Sequence, residues 1–163
     1  MTTSADTRRP ILTCAAAGER FALDVASVER VLRYTTPRQL PNSSAWLRGV
    51  IVVGERLVPV LDLRERLGLP APTPEPAARI VVLARADGSV GFIVDTVDEV
   101  TTVEAGQVEP APAVYRGLAK AYVDGIVRRG EELYILLATE HLLTSQERLA
   151  LRAAVEEVLD GRR

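Results

Sequence analysis

Gly49-Val50-Ile51-Val52-Val53-Gly54-Glu55-Arg56-Leu57 recurs without a gap as Gly125-Ile126-Val127-Arg128-Arg129-Gly130-Glu131-Glu132-Leu133. Each stretch is an apolar run, a glycine-containing turn and the start of a second run, which is the pattern of a β-hairpin. The match continues as Val60-Leu61 against Leu136-Leu137, and Leu67 against Leu143. Upstream, Phe21–Val31 parallels Gly91–Val100, ending in Val28-Glu29-Arg30-Val31 and Val97-Asp98-Glu99-Val100. A unit of strand, turn, strand and short helix therefore occurs twice, with a period of about 70–76 residues, too long for a solenoid. Glycine turns recur widely, so chance similarity of hairpins is the competing reading. Two similar β subdomains packed together fit the ordered repeat better.

The rest of the chain agrees with an all-β reading. Ile11–Ala16, Phe21–Val25, Leu57–Leu63, Ile80–Ala84, Val90–Val94 and Leu133–Leu137 all have strand length and are rich in Val, Ile and Leu. Ala17-Gly18-Glu19-Arg20 and Asp87-Gly88-Ser89 supply further turns. Between the halves, Leu69-Pro70-Ala71-Pro72-Thr73-Pro74-Glu75-Pro76 alternates proline and cannot pair as a central strand. It reads as a connecting loop, with a proline-rich ligand as the alternative. The expected division is subdomains 10–69 and 78–143 joined by 70–76, within one domain spanning 1–163. A C-terminal helix over 145–159 follows. Thr144-Ser145-Gln146-Glu147 has the form of a capping box, Leu151, Val155, Val158 and Leu159 share a face, and Gly161 suits the position after the end. This helix covers the open end of a barrel or binds a partner.

Composition narrows the function. The 163 residues are 47% hydrophobic and 26% charged, which fits a soluble globular protein. Lys plus Arg number 20 against 22 Asp plus Glu, so the basic excess expected of a nucleic-acid binder is missing. Cys14 is the only cysteine and His141 the only histidine, which leaves no disulfide and no Cys/His metal set. Met1 to Pro10 is polar, without the apolar core of a secretory signal, and no apolar run approaches the roughly 20 residues that span a bilayer. The expectation is a cytoplasmic chain without membrane insertion, and a length that leaves no room for a fused signalling domain.

Catalytic constellations are equally sparse. His141 falls in Glu140-His141-Leu142-Leu143, a short helix rather than a cleft, and Cys14 sits among apolar neighbours as a structural thiol. Asp95, Asp98 and Glu99 lie near a strand end, and two carboxylates suffice for glycoside hydrolysis. Sugar sites need aromatic platforms, however, and aromatics are 4% of this chain. No phosphate-binding glycine loop is present. The expectation is a non-enzymatic binding module with neither cofactor nor metal.

The ordered motifs resemble one family. Gly18-Glu19-Arg20-Phe21-Ala22-Leu23-Asp24-Val25 is similar to its opening hairpin. Trp46-Leu47-Arg48-Gly49-Val50 and Leu57-Val58-Pro59-Val60-Leu61-Asp62-Leu63-Arg64 are similar to its G-V…V-P-I-D-L-R signature. Val90-Gly91-Phe92-Ile93-Val94-Asp95-Thr96-Val97, Gln107-Val108-Glu109-Pro110-Ala111-Pro112 and Tyr122-Val123-Asp124-Gly125-Ile126 follow in order. The chain resembles the CheW family of chemotaxis coupling proteins, and the homologous regulatory domain of the histidine kinase CheA. The resemblance implies two five-stranded, SH3-like barrels packed together. It also implies an adaptor that couples the cytoplasmic hairpin tip of chemoreceptors to the regulatory domain of a CheA-like histidine kinase, in cytoplasmic receptor arrays.

Carried over by position, Val28, Val97 and Val100 lie near the receptor groove, while Leu57 with Gly54, Glu55 and Arg56 lies on the kinase side. Core packing is the alternative for the apolar ones. Two positions depart from the family pattern. The family's N-L-R-G aligns with Val52-Val53-Gly54-Glu55, so its arginine falls on Gly54; the acid of its V-x-E-V falls on Arg30. A reversed pair of Arg30 with Glu55 is the expectation, with Glu29 as the other acid within reach. The departures also leave room for an accessory scaffold or inhibitor that binds receptor but not kinase.

Overall fold

The structure is a computed structural model that describes residues 8–41, 43–112, 114–115 and 118–161. The segment Met1 to Thr7, the first part of the polar start, lies outside them. The first strands are β1 (Arg8–Ala16), β2 (Glu19–Asp24), β3 (Val28–Arg33), β4 (Gly49–Val53) and β5 (Arg56–Asp62), followed by the four-residue helix α1 (Leu63–Arg66). Then come β6 (Arg79–Leu83), β7 (Val90–Val94), β8 (Thr96–Glu104) and the two-residue strands β9 (Val108–Glu109), β10 (Val114–Tyr115) and β11 (Leu118–Ala119). β12 (Val123–Arg129), β13 (Glu132–Leu137) and the helix α2 (Ser145–Gly161) complete the chain.

Two sheets curl into two barrels. One has the order β3-β6-β7-β5-β4, the other β8-β1-β2-β13-β12-β9. Read from β3 and β8, the first five strands follow the same order of edge strand, hairpin, parallel junction and hairpin, and the second sheet adds β9 as a sixth strand. The internal repeat is thus a repeat of architecture, with β3, β4 and β5 corresponding to β8, β12 and β13. Both repeated hairpins turn at a glycine with the same φ of +62°, Gly54 and Gly130, at the first of two turn residues. A two-residue hairpin turn needs that positive φ, which glycine adopts without strain.

The hairpin completing each barrel is not where the linear division expects it. β1–β2 joins the second barrel through parallel pairing of β2 with β13 (Phe21↔Ile135) and a long antiparallel ladder of β1 with β8. The first barrel therefore spans residues 28–94, and the second is built from 8–24 and 96–137. Subdomains 10–69 and 78–143 are not the units. The proline stretch 70–76 is a loop inside the first barrel, between α1 and β6. β2 also stops at Asp24, because Val25–Ser27 forms a 3-10 turn where the chain passes from one sheet to the other.

The strands are readable as continuous apolar runs because both faces are buried. Val53, Val58, Val60, Ile80, Val82 and Ile93 fill the first barrel; Ile11, Ala22, Val103, Val127, Tyr134 and Leu136 fill the second. The alternate residues face outward into a third and larger core between the barrels. There Leu61, Val81, Leu83, Phe92 and Val94 pack with Leu12, Cys14, Phe21, Leu23, Ile135 and Leu137. Cys14 has no exposed surface, and burial pushes its thiol up to about 12. It is a packing residue.

A buried charge cluster ties this seam. Asp62 caps α1, accepting the Arg64 N–H at 3.0 Å, and also grips the Arg64 guanidinium at 3.0 and 2.7 Å. The remaining Arg64 nitrogen donates to Asp95 at 3.0 Å, and the other oxygen of Asp95 accepts the Ala17 N–H at 2.7 Å. Arg64 also donates to the Pro72 carbonyl at 2.8 Å, which anchors the proline loop. Asp95 lies between β7 and β8, where the chain leaves the first barrel, and Ala17 lies in the β1–β2 turn of the second. One guanidinium thus fastens both barrels, with Asp95 as the link between them. A second tie runs from Arg85 of the β6–β7 turn to the Thr139 and Glu140 carbonyls beyond β13, at 2.8 and 3.2 Å.

Removing one partner of a buried ion pair leaves an uncompensated charge. Arg64→Ala is expected to lower stability in urea by about 3–5 kcal/mol, whereas Arg33→Ala on exposed β3 stays within about 0.5 kcal/mol.

Candidate functional site

The residues singled out in the sequence fall on two places. Val28 and Arg30 lie on β3 and Val97 and Val100 on β8, the outer strands of the two sheets. Gly54, Glu55, Arg56 and Leu57 lie on the β4–β5 hairpin. Val28 and Val97 are half-buried and pack against the seam core. Three residues further along each strand, Val31 is 38% exposed and Val100 62% exposed. Each edge strand therefore carries one valine anchored in the seam and one presented to solvent.

Sequence reasoning did not read β3 and β8 as strands, because valine alternates there with Glu29, Arg30, Asp98 and Glu99. That is the composition of an edge strand, where charge protects unpaired backbone groups. Each strand also has a bulge at the corresponding place. Val28 faces Leu83 and Arg30 faces Val82, leaving Glu29 as the extra residue; Val97 faces Cys14 and Glu99 faces Thr13, leaving Asp98. A bulge re-aims the side chains around it.

The Arg30–Glu55 pair does not form among the described residues. Arg30 has its Nε 3.7 Å from its own neighbour Glu29, so the other acid of the expectation is the one it approaches. Glu29 is chiefly engaged by Arg56, in a short charge-assisted bond. Ser89 closes the cycle, donating to Glu29 at 2.8 Å and accepting from Arg56 at 3.0 Å. Glu55 is exposed at the hairpin tip, and Gly54 faces open space. The acid and the arginine that link strand to hairpin are thus Glu29 and Arg56.

The second barrel makes a comparable link from different positions, with Glu99 and Arg129 at 2.9 Å. Arg129 also lies 5.8 Å above the Tyr134 ring, whose hydroxyl donates to Glu132 at 2.8 Å. Each barrel thus closes its mouth with an edge-strand acid and a hairpin arginine. The arginine is the first residue of the second arm in one barrel and the last of the first arm in the other. The paired residues do not correspond in the repeat: Glu29 aligns with Asp98 and Arg56 with Glu132, while Glu99 aligns with Arg30 and Arg129 with Val53, so the repeat alone does not announce the pairs.

The helix α2 lies against the first barrel, with Leu151 buried in the seam core and Ala154 packed against it. Its capping box is formed: Glu147 N–H donates to Thr144 Oγ1 at 3.1 Å, and Thr144 N–H to the Glu147 carboxylate at 2.9 Å. The helix runs through Gly161, two residues beyond the expected end, and Leu159 is exposed at 41% rather than on the packed face. Among the described residues, no His/Cys/Asp/Glu group could hold a metal ion, and no helix is long and apolar enough to cross a membrane.

Fold and surfaces together define a two-barrel β protein whose exposed large apolar residues, among those described, are Val31 and Val100 on the edge strands, Val52 on the first hairpin, and Leu149 and Leu159 on α2. Residues 10–147 match the CheW-like domain, and the chain belongs to that family. It is 30% identical over 129 residues to the chemotaxis protein CheW of Klebsiella aerogenes, covering 79% of this chain and 78% of that one. To the chemotaxis protein CheW of Bacillus subtilis it is 27% identical over 146 residues, covering 90% and 94%. Among solved structures it is similar to the scaffolding protein TtCheW from Thermoanaerobacter tengcongensis, with a TM-score of 0.74 and 26% identity over 79% of this chain and 88% of that one.

Arg56, and then Ser89, hold the Glu29 carboxyl below its ordinary value. Because the folded value lies below the unfolded one, the link stabilises the protein above the unfolded carboxylate range and is lost as pH falls through the folded value. Acid titration of stability is expected to show a small Glu29-dependent loss below about pH 4.5, of no more than about 1 kcal/mol for such a surface pair. Glu29→Gln removes that component and leaves stability at pH 2 nearly unchanged.

Proposed function

We propose that the chain is a non-enzymatic adaptor of bacterial chemosensory signalling. It couples the cytoplasmic hairpin tip of a chemoreceptor to the regulatory domain of a CheA-type histidine kinase, within cytoplasmic receptor arrays. The observation that carries this reading is the pair of like edge strands, each with a seam-anchored valine and a solvent-exposed one. Val28, Val97 and Val100, with Val31, offer apolar contact to a receptor helix. Apolar centres rimmed by paired charges are the usual anatomy of an interface. Arg56 and Leu57, with Gly54, Glu55 and Arg30 near them, offer the kinase a separate surface on the first barrel. Holding two partners on one rigid body lets a change in the receptor bias the kinase by differential binding.

A second reading has an observation of its own. Gly54 has no side chain at the family's arginine position, Arg30 replaces its acid, and the link runs instead through Glu29 and Arg56. An accessory scaffold or inhibitor that binds receptor but not kinase is the function this altered surface would serve.

Isothermal titration against both partners from the same genome separates the two readings. Micromolar binding to both supports the coupling role; receptor binding without kinase binding supports the accessory one. Val100→Arg is expected to weaken receptor binding by about tenfold or more with an unchanged melting temperature. Undiminished receptor binding by that variant would remove β8 from the site.

A further inference from the structure

The helix α2 lies in a trough that it does not fill. It follows the second barrel in sequence yet rests on the first, and Leu151 is its only buried side chain among the described residues. Ala154, Val155 and Val158 are half-buried, and Leu149 faces solvent at 67% exposure. An open cleft of about 210 Å³ remains on one flank, with Leu57, Pro59 and Val90 on the barrel side and Val155 on the helix. A groove of about 550 Å³ remains on the other, between Leu40, Trp46 and Leu47 of the barrel and Ala150, Ala154 and Val158 of the helix. Space next to an apolar side chain is contact forgone, so this helix is held less tightly than the strands beneath it.

Among the described residues, the polar fastenings lie in the first turn. Glu147 binds Arg66 through both oxygens, at 2.7 and 3.0 Å, and Arg66 lies 5.6 Å above the Trp46 ring. Arg148 approaches Asp87 at 4.0 Å. Further along, Arg152 pairs with Glu156 of the same helix, which does nothing to dock it. The helix is thus pinned at its start and by Leu151, and only half-buried or exposed over the turns beyond. Elements with few buried apolar contacts open locally at a fraction of the cost of global unfolding.

We propose that α2 is an autoinhibitory strap. Closed, it occupies the trough and shields the Leu57 side of the first barrel. Open, it swings about Thr144 and frees that surface for the kinase regulatory domain. This rests on the reading of Leu57 as part of the kinase side. Apparent affinity for a partner that binds only the open form falls by the fraction of molecules open, so loosening the strap strengthens binding.

The test combines hydrogen exchange with titration of the full chain. Leu151→Ala loosens the apolar contact, and Glu147→Gln loosens the pin without touching the core. The wild-type amides of residues 150–161 are expected to exchange well before those of β6 and β13, and faster still in both variants. Affinity for the kinase regulatory domain should rise at least fivefold in each variant, with affinity for the receptor fragment unchanged. Exchange in α2 as slow as in the sheets would overturn the strap. So would kinase affinity that stays constant or falls while α2 opens. Absence of kinase binding in every form would instead overturn the kinase reading, and the autoinhibitory role with it.

Discussion

Arg64 is the residue on which the arrangement of the two barrels depends. Its guanidinium is buried, and a buried charge must be paired and hydrogen-bonded or it destabilises the fold by several kcal/mol. The partners that satisfy it come from everywhere the seam must be held: Asp62 at the end of β5, Asp95 at the crossing between barrels, and Pro72 in the proline loop. Through Asp95 it reaches the Ala17 amide, in the turn of the hairpin that the chain's start contributes to the second barrel. The apolar core between the barrels supplies most of the attraction, but it is non-directional. The Arg64 cluster fixes the register in which the two apolar faces meet.

The discontinuity of the second barrel explains why a seam of this kind is needed. The first barrel is contiguous from β3 to β7, whereas the second is completed across the chain, with β1–β2 filling the place that β6–β7 fills in the first. The chain crosses between the sheets after β2 and again after β7. Both crossings feed an edge strand whose bulge sits at the corresponding residue, Glu29 or Asp98. The two barrels share a plan but are dressed differently. Arg30 and Val31 stand on one edge strand where Glu99 and Val100 stand on the other, and only the first barrel carries α2. A like framework with unlike surfaces suits the proposed binding of two different partners.

Much of this was legible in the sequence because it is local. The repeated hairpins, the glycine turns at Gly54 and Gly130, and the capping box at Thr144 each follow from a few adjacent residues. The central strands were visible because burial on both faces makes them continuously apolar. The edge strands were hidden by their charges. The division into barrels was misplaced because the parallel pairing of Phe21 with Ile135 joins residues far apart, with no turn to announce it. The ion pair formed between Glu29 and Arg56 rather than Arg30 and Glu55, a choice made by cross-strand geometry that adjacent residues do not announce. In Asp62-Leu63-Arg64, two charges inside an apolar run were the signal of a buried pair.

Residue-resolved native-state hydrogen exchange tests the central claim, that the seam makes the two barrels one cooperative body. The account predicts that the best-protected amides of β6 in the first barrel and of β13 in the second exchange with the same free energy, and that the Ala17 amide joins them only while Asp95 keeps its carboxylate. Exchange of the second barrel at a distinctly lower free energy, with the first still protected, would contradict it.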